Sequence, residues 1–287
     1  MNQVKAQGLI FSALAIVVAI FSIFWQPTDN FVYLIVLAII IFFLGVPHGA
    51  LDPIFAKKLL PVSSWQSWSF FAILYSLLGL VMIIFWLLSP LLFMITFLGL
   101  SVFHFSRDLE NTTPRITKLL YGSAIIILPA LLHYDVMVNL FTLILNIDDG
   151  LLIVNFLHAI ALPYLVLLII SIAYETYRNF FQAVELLAVS FLAIVAQPLI
   201  SFTLFFCGMH SIRHVLRTQS YSQLSWKKIL LTSLLPMLGV IFIVLLSWVF
   251  LSDSPNYSNI LRLIFVGLAC LTVPHMILVD RVKHSNH

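Results

Sequence analysis

Two histidines near residue 210 have the spacing of a metal-binding pair. His210 and His214 lie four residues apart in the run GMHSIRH, which follows an apolar segment beginning at Leu199. On a helix, residues four apart share one face and lie about one turn from each other. Two imidazoles placed in this way can hold one metal ion. Arg213 and Arg217 also fit a plain basic helix end anchored at the inner membrane face, so the pair needs further support.

The composition predicts a membrane protein. Of the 287 residues, 62% are hydrophobic and 9% are charged, and the mean hydropathy is +1.11. A soluble domain carries about 25% charged residues. Cys207 and Cys270 both lie in apolar runs, which predicts small buried side chains and no disulfide. The sequence has no glycine-rich phosphate loop and no dinucleotide-binding fingerprint, and its modest net charge of +3 does not predict nucleic-acid binding.

Apolar segments long enough to cross a bilayer recur along the whole chain. A transmembrane helix needs roughly 17 to 25 apolar residues. The candidate spans are Gly8–Trp25, Phe31–Ala50, Trp68–Leu88, Leu91–Phe105, Ile116–Leu132, Leu151–Tyr174, Phe180–Ala196, Leu199–Leu216, Ile229–Leu251 and Ile260–Val279. Val136–Ile147 is apolar but shorter, which predicts an interfacial or re-entrant piece. We therefore expect an all-α transmembrane helix bundle of eight to ten spans, forming a single integral membrane domain over residues 1–287.

The distribution of lysine and arginine predicts how the spans are oriented. If ten spans alternate from a cytoplasmic N-terminus, every lysine and arginine except Arg262 falls on the inner side. The outer loops then hold acidic residues, among them Asp29 and Asp253. Positively charged residues favour the cytoplasmic side of a membrane. We therefore expect both termini to be cytoplasmic and the chain to pass several times through the cell (inner) membrane.

In this arrangement five histidines reach a similar depth, near the cytoplasmic ends of four spans. They are His48, His104, His210, His214 and His275. Each could be an isolated helix-end histidine that bonds a neighbouring carbonyl. Ionisable groups inside a membrane are costly, so several at one depth in a sparsely charged chain favour a shared metal site. His133 and His158 fall on the outer side and are not expected to join it.

The donor atoms indicate which metal such a site would hold. Imidazole nitrogens without cysteine and with few carboxylates suit iron, copper or zinc better than magnesium or calcium. Three nearby residues are candidates to support the ligands: Asp52, Glu185 and His275. Asp52 could accept a hydrogen bond from His48, one turn away. Glu185 could orient an imidazole or pair with Arg178 or a histidine, and His275 could be a fifth ligand or, as we favour, a supporting group.

Four short motifs resemble those of the Brp/Blh family of membrane β-carotene 15,15'-dioxygenases. They are Gly-x-Pro-His-Gly-Ala-x-Asp at Gly45–Asp52, His-Phe-Ser at His104, His-Ser-x-Arg-His at His210–His214, and Val-Pro-His-Met around His275. The motifs run from residue 45 to residue 276, so the resemblance covers nearly the whole chain. The family is bacterial and archaeal and is associated with retinal synthesis for rhodopsins.

The resemblance implies an activity and a set of metal ligands. Ferrous iron would be held by the matching residues His48, His104, His210 and His214. The implied reaction is cleavage of the central double bond of β-carotene by dioxygen, which gives two molecules of all-trans-retinal. The expected partners are the carotenoid, dioxygen, the lipid bilayer and a rhodopsin-producing pathway.

Other functional classes remain open at the level of the sequence. A membrane hydroxylase or desaturase would use a larger histidine set with two irons, whereas this chain has one HxxxH pair. A membrane haem protein could use two of the histidines as axial ligands. A transporter could use His48, Asp52 and Glu185 as a proton relay.

Overall fold

The computed structural model describes residues 3–26, 31–59, 64–250 and 257–284. Within these ranges the chain is helical and contains no strand, which confirms the predicted all-α architecture. Asp29 and Asp253, assigned to outer loops from the sequence, lie outside the described residues, as does the C-terminal His287. The cytoplasmic position of the termini stays a prediction.

Thirteen α-helices follow one another in the described residues. They are α1 Gln3–Phe24, α2 Phe31–Ile40, α3 Asp52–Leu59, α4 Trp65–Leu88, α5 Pro90–Ser106, α6 Arg115–Ile127, α7 Tyr134–Ile144, α8 Ile147–Arg178, α9 Phe180–Val195, α10 Pro198–Leu204, α11 Ile212–Ser222, α12 Trp226–Phe250 and α13 Tyr257–His284. Segments of different pitch join some of them. These are the π-helical segments Ile41–Gly45 and Phe205–Ser211 and the 3-10 segments Val46–Leu51 and Leu128–Leu131.

The long apolar helices indicate an integral membrane protein, as the composition predicted. In the described part of the chain, seven helical stretches are long and apolar enough to cross a bilayer. Two of them, Phe31–Leu59 and Pro198–Ser222, continue through the π-helical segments. The bent pair Arg115–Leu131 and Tyr134–Ile144 would make an eighth span, while α5 and α9 are apolar but shorter. The predicted range of eight to ten is therefore met at its lower end when the bent pair counts as one span.

The bend in that pair accounts for the short apolar piece noted in the sequence. The chain turns by 110° between Arg115–Leu131 and Tyr134–Ile144. Pro129 lies in the 3-10 segment just before the bend, and a proline without an N–H cannot continue a regular helix. The sequence-predicted re-entrant piece, Val136–Ile147, corresponds to α7.

The helices divide into two compact units. The first comprises Met1–Gly45 and Leu98–His214, and in it α1 packs along α9 while α8 packs against α6, α7 and α9. The second comprises Val46–Phe97 and Val215–His287. In the second unit α13 packs against α3 and α4, and the 3-10 segment Val46–Leu51 packs against α12.

A glycine on α6 allows α5 and α6 to approach closely, which gives a test of packing in the first unit. A Cβ atom at Gly122 would lie 2.3 Å from the carbonyl oxygen of Val102 and 2.7 Å from the backbone nitrogen of Ser106. Because backbone cannot move aside cheaply, we expect Gly122→Ala to destabilise the protein by about 1–3 kcal/mol, as overpacking does. The measurement is the thermal unfolding midpoint in detergent.

Gly99→Ala is the matched control for this prediction. Gly99 is on α5, and a Cβ there meets nothing within 4 Å. Its unfolding midpoint should equal or slightly exceed that of the wild type, because alanine favours a helix over glycine. Equal midpoints for Gly122→Ala and Gly99→Ala would contradict the close packing at Gly122.

Candidate metal centre

Two π-helical segments pack against each other in the first unit, and one of them carries a candidate ligand. His210 lies in the segment Phe205–Ser211, between α10 and α11. This segment packs against the other π-helical segment, Ile41–Gly45. The Ser211 hydroxyl donates hydrogen bonds to the carbonyls of Leu44 and Gly45, the latter at 3.1 Å. Departures from α-helical pitch of this kind are frequent at functional sites.

Gly45 is required where the two segments meet. A Cβ atom at this position would lie 2.5 Å from a ring carbon of Phe206. The glycine therefore allows the backbone of one segment to approach the aromatic side chain of the other. In the sequence, Gly45 begins the motif that leads to His48.

The first group of candidate ligands, called here the Asp108 group, consists of His104, Asp108 and His210. The carboxylate oxygens of Asp108 lie 3.0 and 3.1 Å from Nδ1 of His210. The rings of His104 and His210 are close, with centroids 4.4 Å apart. His210 is 2% exposed, and the rings of Phe105 and Phe206 pack against its imidazole. His210 is therefore held in one orientation inside the protein.

The second group, called here the Asp52 group, lies in the second unit and consists of His48, Asp52, Tyr75 and His275. One carboxylate oxygen of Asp52 is 2.6 Å from Nδ1 of His275. The other accepts a hydrogen bond of 2.7 Å from the hydroxyl of Tyr75. The rings of His48 and His275 meet edge to face with centroids 5.1 Å apart.

The two groups have the construction of metal-binding histidines. A carboxylate that accepts a hydrogen bond from Nδ1 fixes the tautomer, so the lone pair is on Nε2, across the ring. Metal-ligating histidines are commonly oriented and made more basic by such a partner. His210 and His275 both have this arrangement, with Asp108 and Asp52 as the partners.

His214, the other half of the HxxxH pair, lies in the first turn of α11 and is half-buried. It follows the π-helical segment that carries His210, so the pair begins in one helical pitch and ends in another. The two histidines that the sequence assigned to the outer side contact backbone carbonyls. A ring nitrogen of His133 lies 3.1 Å from the Val195 carbonyl, and one of His158 lies 2.7 Å from the Ala130 carbonyl.

The expectation that Arg213 anchors a helix end at the membrane face is wrong. Arg213 is 2% exposed and forms a two-pronged ion pair with Glu185, with N–O distances of 2.7 and 2.9 Å. Its guanidinium also donates to the backbone carbonyl of Asp108 at 3.0 Å and to the side-chain oxygen of Gln7 at 3.0 Å. Glu185 therefore pairs with Arg213, where the sequence had suggested Arg178 or an imidazole as its partner.

Gln7 connects this ion pair to the π-helical segment. Its amide nitrogen donates to the carbonyls of Gly208 at 2.8 Å and Met209 at 3.2 Å. Buried carbonyls need such donors. Helix α1 thus helps to hold the backbone on which His210 is mounted.

Sequence reasoning did not single out Asp108, Tyr75 or Gln7, and it considered Asp52 as a support for His48, whereas the structure places Asp52 against His275. A signal for Asp108 was present, because a His-x-x-x-Asp pattern occurs at His48–Asp52 and again at His104–Asp108. In both cases the aspartate contacts Nδ1 of a histidine that lies more than 100 residues further along the chain. His48 lies in a 3-10 segment, where three residues make a turn and a residue four further on points elsewhere.

Comparison with known proteins identifies the family. A family model described as "Beta-carotene 15,15'-dioxygenase" matches residues 37–283, which is most of the chain. The chain belongs to this family. It is also 29% identical over 270 residues to a β-carotene 15,15'-dioxygenase of uncultured marine bacterium 66A03, covering 86% of this chain and 94% of that protein. No solved structure matches the chain.

The family match confirms the predicted enzyme class, a carotenoid-cleaving dioxygenase. The matched region contains all the histidines and aspartates of the two groups. A dioxygenase of this kind indicates a metal cofactor, which agrees with histidines whose Nδ1 atoms are held by carboxylates.

Proposed function

We propose that the chain cleaves the central 15,15' double bond of β-carotene with dioxygen and releases two molecules of all-trans-retinal. In this reaction the carbon–carbon double bond is replaced by two carbon–oxygen double bonds, and each aldehyde takes one oxygen atom. The proposed metal is ferrous iron, with His48, His104, His210 and His214 as ligands. The observation that carries the proposal is the His210–Asp108 pair, buried in a region that matches the family model.

The residues fit an iron ion. Imidazole nitrogens are suitable ligands for iron, and because they are neutral they do not compensate the positive charge of the ion. The Asp108 carboxylate makes the imidazole of His210 a stronger electron-pair donor to a metal. When bound, iron would supply the activation of dioxygen that no side chain in the protein can provide. His48, His104 and His210 are all buried, so water has little access to their rings.

The protein's own part in the reaction is to orient the histidine ligands and to exclude water from them. Asp108 holds the proton of His210 on Nδ1, and the aromatic rings of Phe105 and Phe206 prevent the imidazole from turning. The ion pair of Arg213 with Glu185 holds the backbone carbonyl of Asp108 in place. No protein nucleophile is required.

The membrane provides the substrate in this proposal. β-Carotene is a hydrocarbon that dissolves in the bilayer, and helices such as α4 and α12 expose long apolar surfaces, including Leu77, Leu235 and Phe242. We place the protein in the inner (cell) membrane as a single membrane domain with cytoplasmic termini, because of the distribution of its basic residues. A rhodopsin-producing pathway would use the retinal.

Expression in cells that accumulate β-carotene tests the proposed reaction. We expect the cells to lose their orange colour and to accumulate retinal, which chromatography of extracts measures. A membrane-permeant iron chelator should prevent retinal formation in isolated membranes, and ferrous iron should restore it where magnesium does not.

Two results would contradict the proposal. One is retained orange colour with iron present and no retinal in the extract. The other is full activity in membranes from which iron has been removed. More than one iron per purified chain would instead favour the chemistry of the membrane hydroxylases and desaturases.

A further inference from the structure

The Asp52 group contains a histidine to which the family resemblance assigns no role as a ligand. His275 is 1% exposed and lies in the middle of α13, one residue after Pro274. Its Nδ1 is 2.6 Å from Asp52, and the second oxygen of this carboxylate accepts the hydroxyl of Tyr75. Both carboxylate oxygens are thus engaged, which fixes the plane of the carboxylate and with it the direction of the imidazole.

The same construction recurs in the Asp108 group. In each unit a His-x-x-x-Asp pattern supplies one histidine and one aspartate, and the aspartate holds Nδ1 of a second histidine from a later helix. His210 has this position in the first unit and His275 has it in the second. If the construction makes His210 a ligand, the same chemistry makes His275 one.

The distance between His48 and His275 agrees with binding to one ion. One ring nitrogen of His48 lies within 4.8 Å of one ring nitrogen of His275. Two nitrogens bound to one ion at about 2.1 Å are at most about 4.2 Å apart. A closer approach of at most about 2 Å brings the two nitrogens to the separation of neighbouring ligands on one ion.

We propose that His275 is a ligand of the iron, on the same ion as His48, and that Asp52 and Tyr75 are its positioning residues. The proposal rests on the proposed function for the identity of the metal. It assigns His275 a direct role in place of the supporting role expected from the sequence. The alternative is a buried histidine–aspartate pair that only stabilises α13 against α3 and α4.

Metal binding by the full-length protein, purified in detergent and stripped of metal, tests the proposal. The probe is Co²⁺, whose visible d–d absorption reports the number and kind of its ligands. We expect His275→Ala to weaken the affinity for Co²⁺ by more than about tenfold. Removing a residue that only hydrogen-bonds a ligand already costs about that much, and losing the ligand itself should cost more. The spectrum of any Co²⁺ that remains bound should change. His158→Ala is the control, because His158 bonds the Ala130 carbonyl and belongs to neither group.

The positioning residues should have graded effects on the same measurement. Asp52→Asn is expected to weaken Co²⁺ binding by roughly 10- to 100-fold while the ligand set and the spectrum stay the same. Tyr75→Phe should have a smaller effect in the same direction, because it removes one hydrogen bond to the carboxylate and leaves the other.

Chemical rescue separates a lost ligand from a damaged fold. In His275→Gly, added imidazole can enter the vacated space and replace the missing ring. We expect imidazole to restore the Co²⁺ spectrum in this variant and to leave His158→Gly unchanged. If His275 had only a structural role, His275→Gly would be less stable, and added imidazole would not restore the Co²⁺ spectrum.

The results that overturn this inference differ from those that overturn the proposed function. A His275→Ala protein that binds Co²⁺ with the wild-type affinity and spectrum refutes His275 as a ligand, even if the wild type produces retinal. A wild type that binds no Co²⁺ refutes it as well. Loss and imidazole rescue of Co²⁺ binding support it, even if β-carotene proves not to be the substrate.

Discussion

Replacing His210 by alanine should remove both the bound iron and the formation of retinal. Asp108 orients the imidazole of His210, which lies in a π-helical segment held by hydrogen bonds of Gln7 and Ser211. Loss of a metal ligand from a site of few ligands is not compensated by its neighbours. The measurements are iron content of the purified protein by mass spectrometry and retinal yield from isolated membranes.

Two further variants make this result interpretable. Alanine at position 210 leaves the Asp108 carboxylate buried without its imidazole, which can weaken the fold by itself. His210→Gln keeps a hydrogen-bonding side chain in the space and should lose iron to the same extent. His158→Ala should keep wild-type iron content and activity. Full activity in either His210 variant would refute the ligand assignment.

Replacing Arg213 by methionine should strongly destabilise the protein. The ion pair with Glu185 is buried, with side-chain exposures of 2% and 8%. Removing the arginine leaves a buried carboxylate with no opposite charge, which costs about 3–5 kcal/mol in comparable buried pairs. The Asp108 carbonyl loses a donor at the same time. We expect a lower unfolding midpoint in detergent together with reduced iron content.

The double variant Arg213→Met with Glu185→Leu tests whether the unpaired charge is the cause. Because replacement of a whole buried ion pair by apolar groups is often neutral, the double variant should recover most of the lost stability. Arg178→Met is the control, since Arg178 is exposed at the end of α8 and packs over the Tyr174 ring. An Arg213→Met protein as stable as Arg178→Met would show that the pair does not hold the fold together.

Gly8 explains why this ion pair fits against α1. A Cβ atom at Gly8 would lie 1.8 Å from a carboxylate oxygen of Glu185 and 2.8 Å from a guanidinium nitrogen of Arg213. Those groups are fixed by each other, so they have little freedom to move aside. The glycine gives the first helix its close approach to α9, and the adjacent Gln7 reaches the π-helical segment as a result.

Much of the fold was predictable from local properties of the chain. The ten apolar segments correspond closely to helical stretches of the structure, such as Phe180–Ala196 to α9 and Trp68–Leu88 to α4. The short piece at Val136–Ile147 corresponds to α7, which follows the bend after Pro129. Hydropathy is a property of consecutive residues, and a bilayer requires each apolar segment to satisfy its own backbone as a helix. These features need no knowledge of distant contacts.

By itself, the sequence determined that this is an all-α membrane protein whose histidine motifs match a dioxygenase family. The tertiary structure decided which aspartate supports which histidine. Asp108 and His210 are separated by 102 residues, and Asp52 and His275 by 223. Spacing along one helix indicated Asp52 beside His48, and the distribution of basic residues placed Arg213 at the membrane face. Arg213 is instead buried among Glu185, Gln7 and the Asp108 carbonyl, which come from distant parts of the chain. At His48 the 3-10 pitch also mattered, because periodicity describes the direction of a side chain only while the helix stays regular.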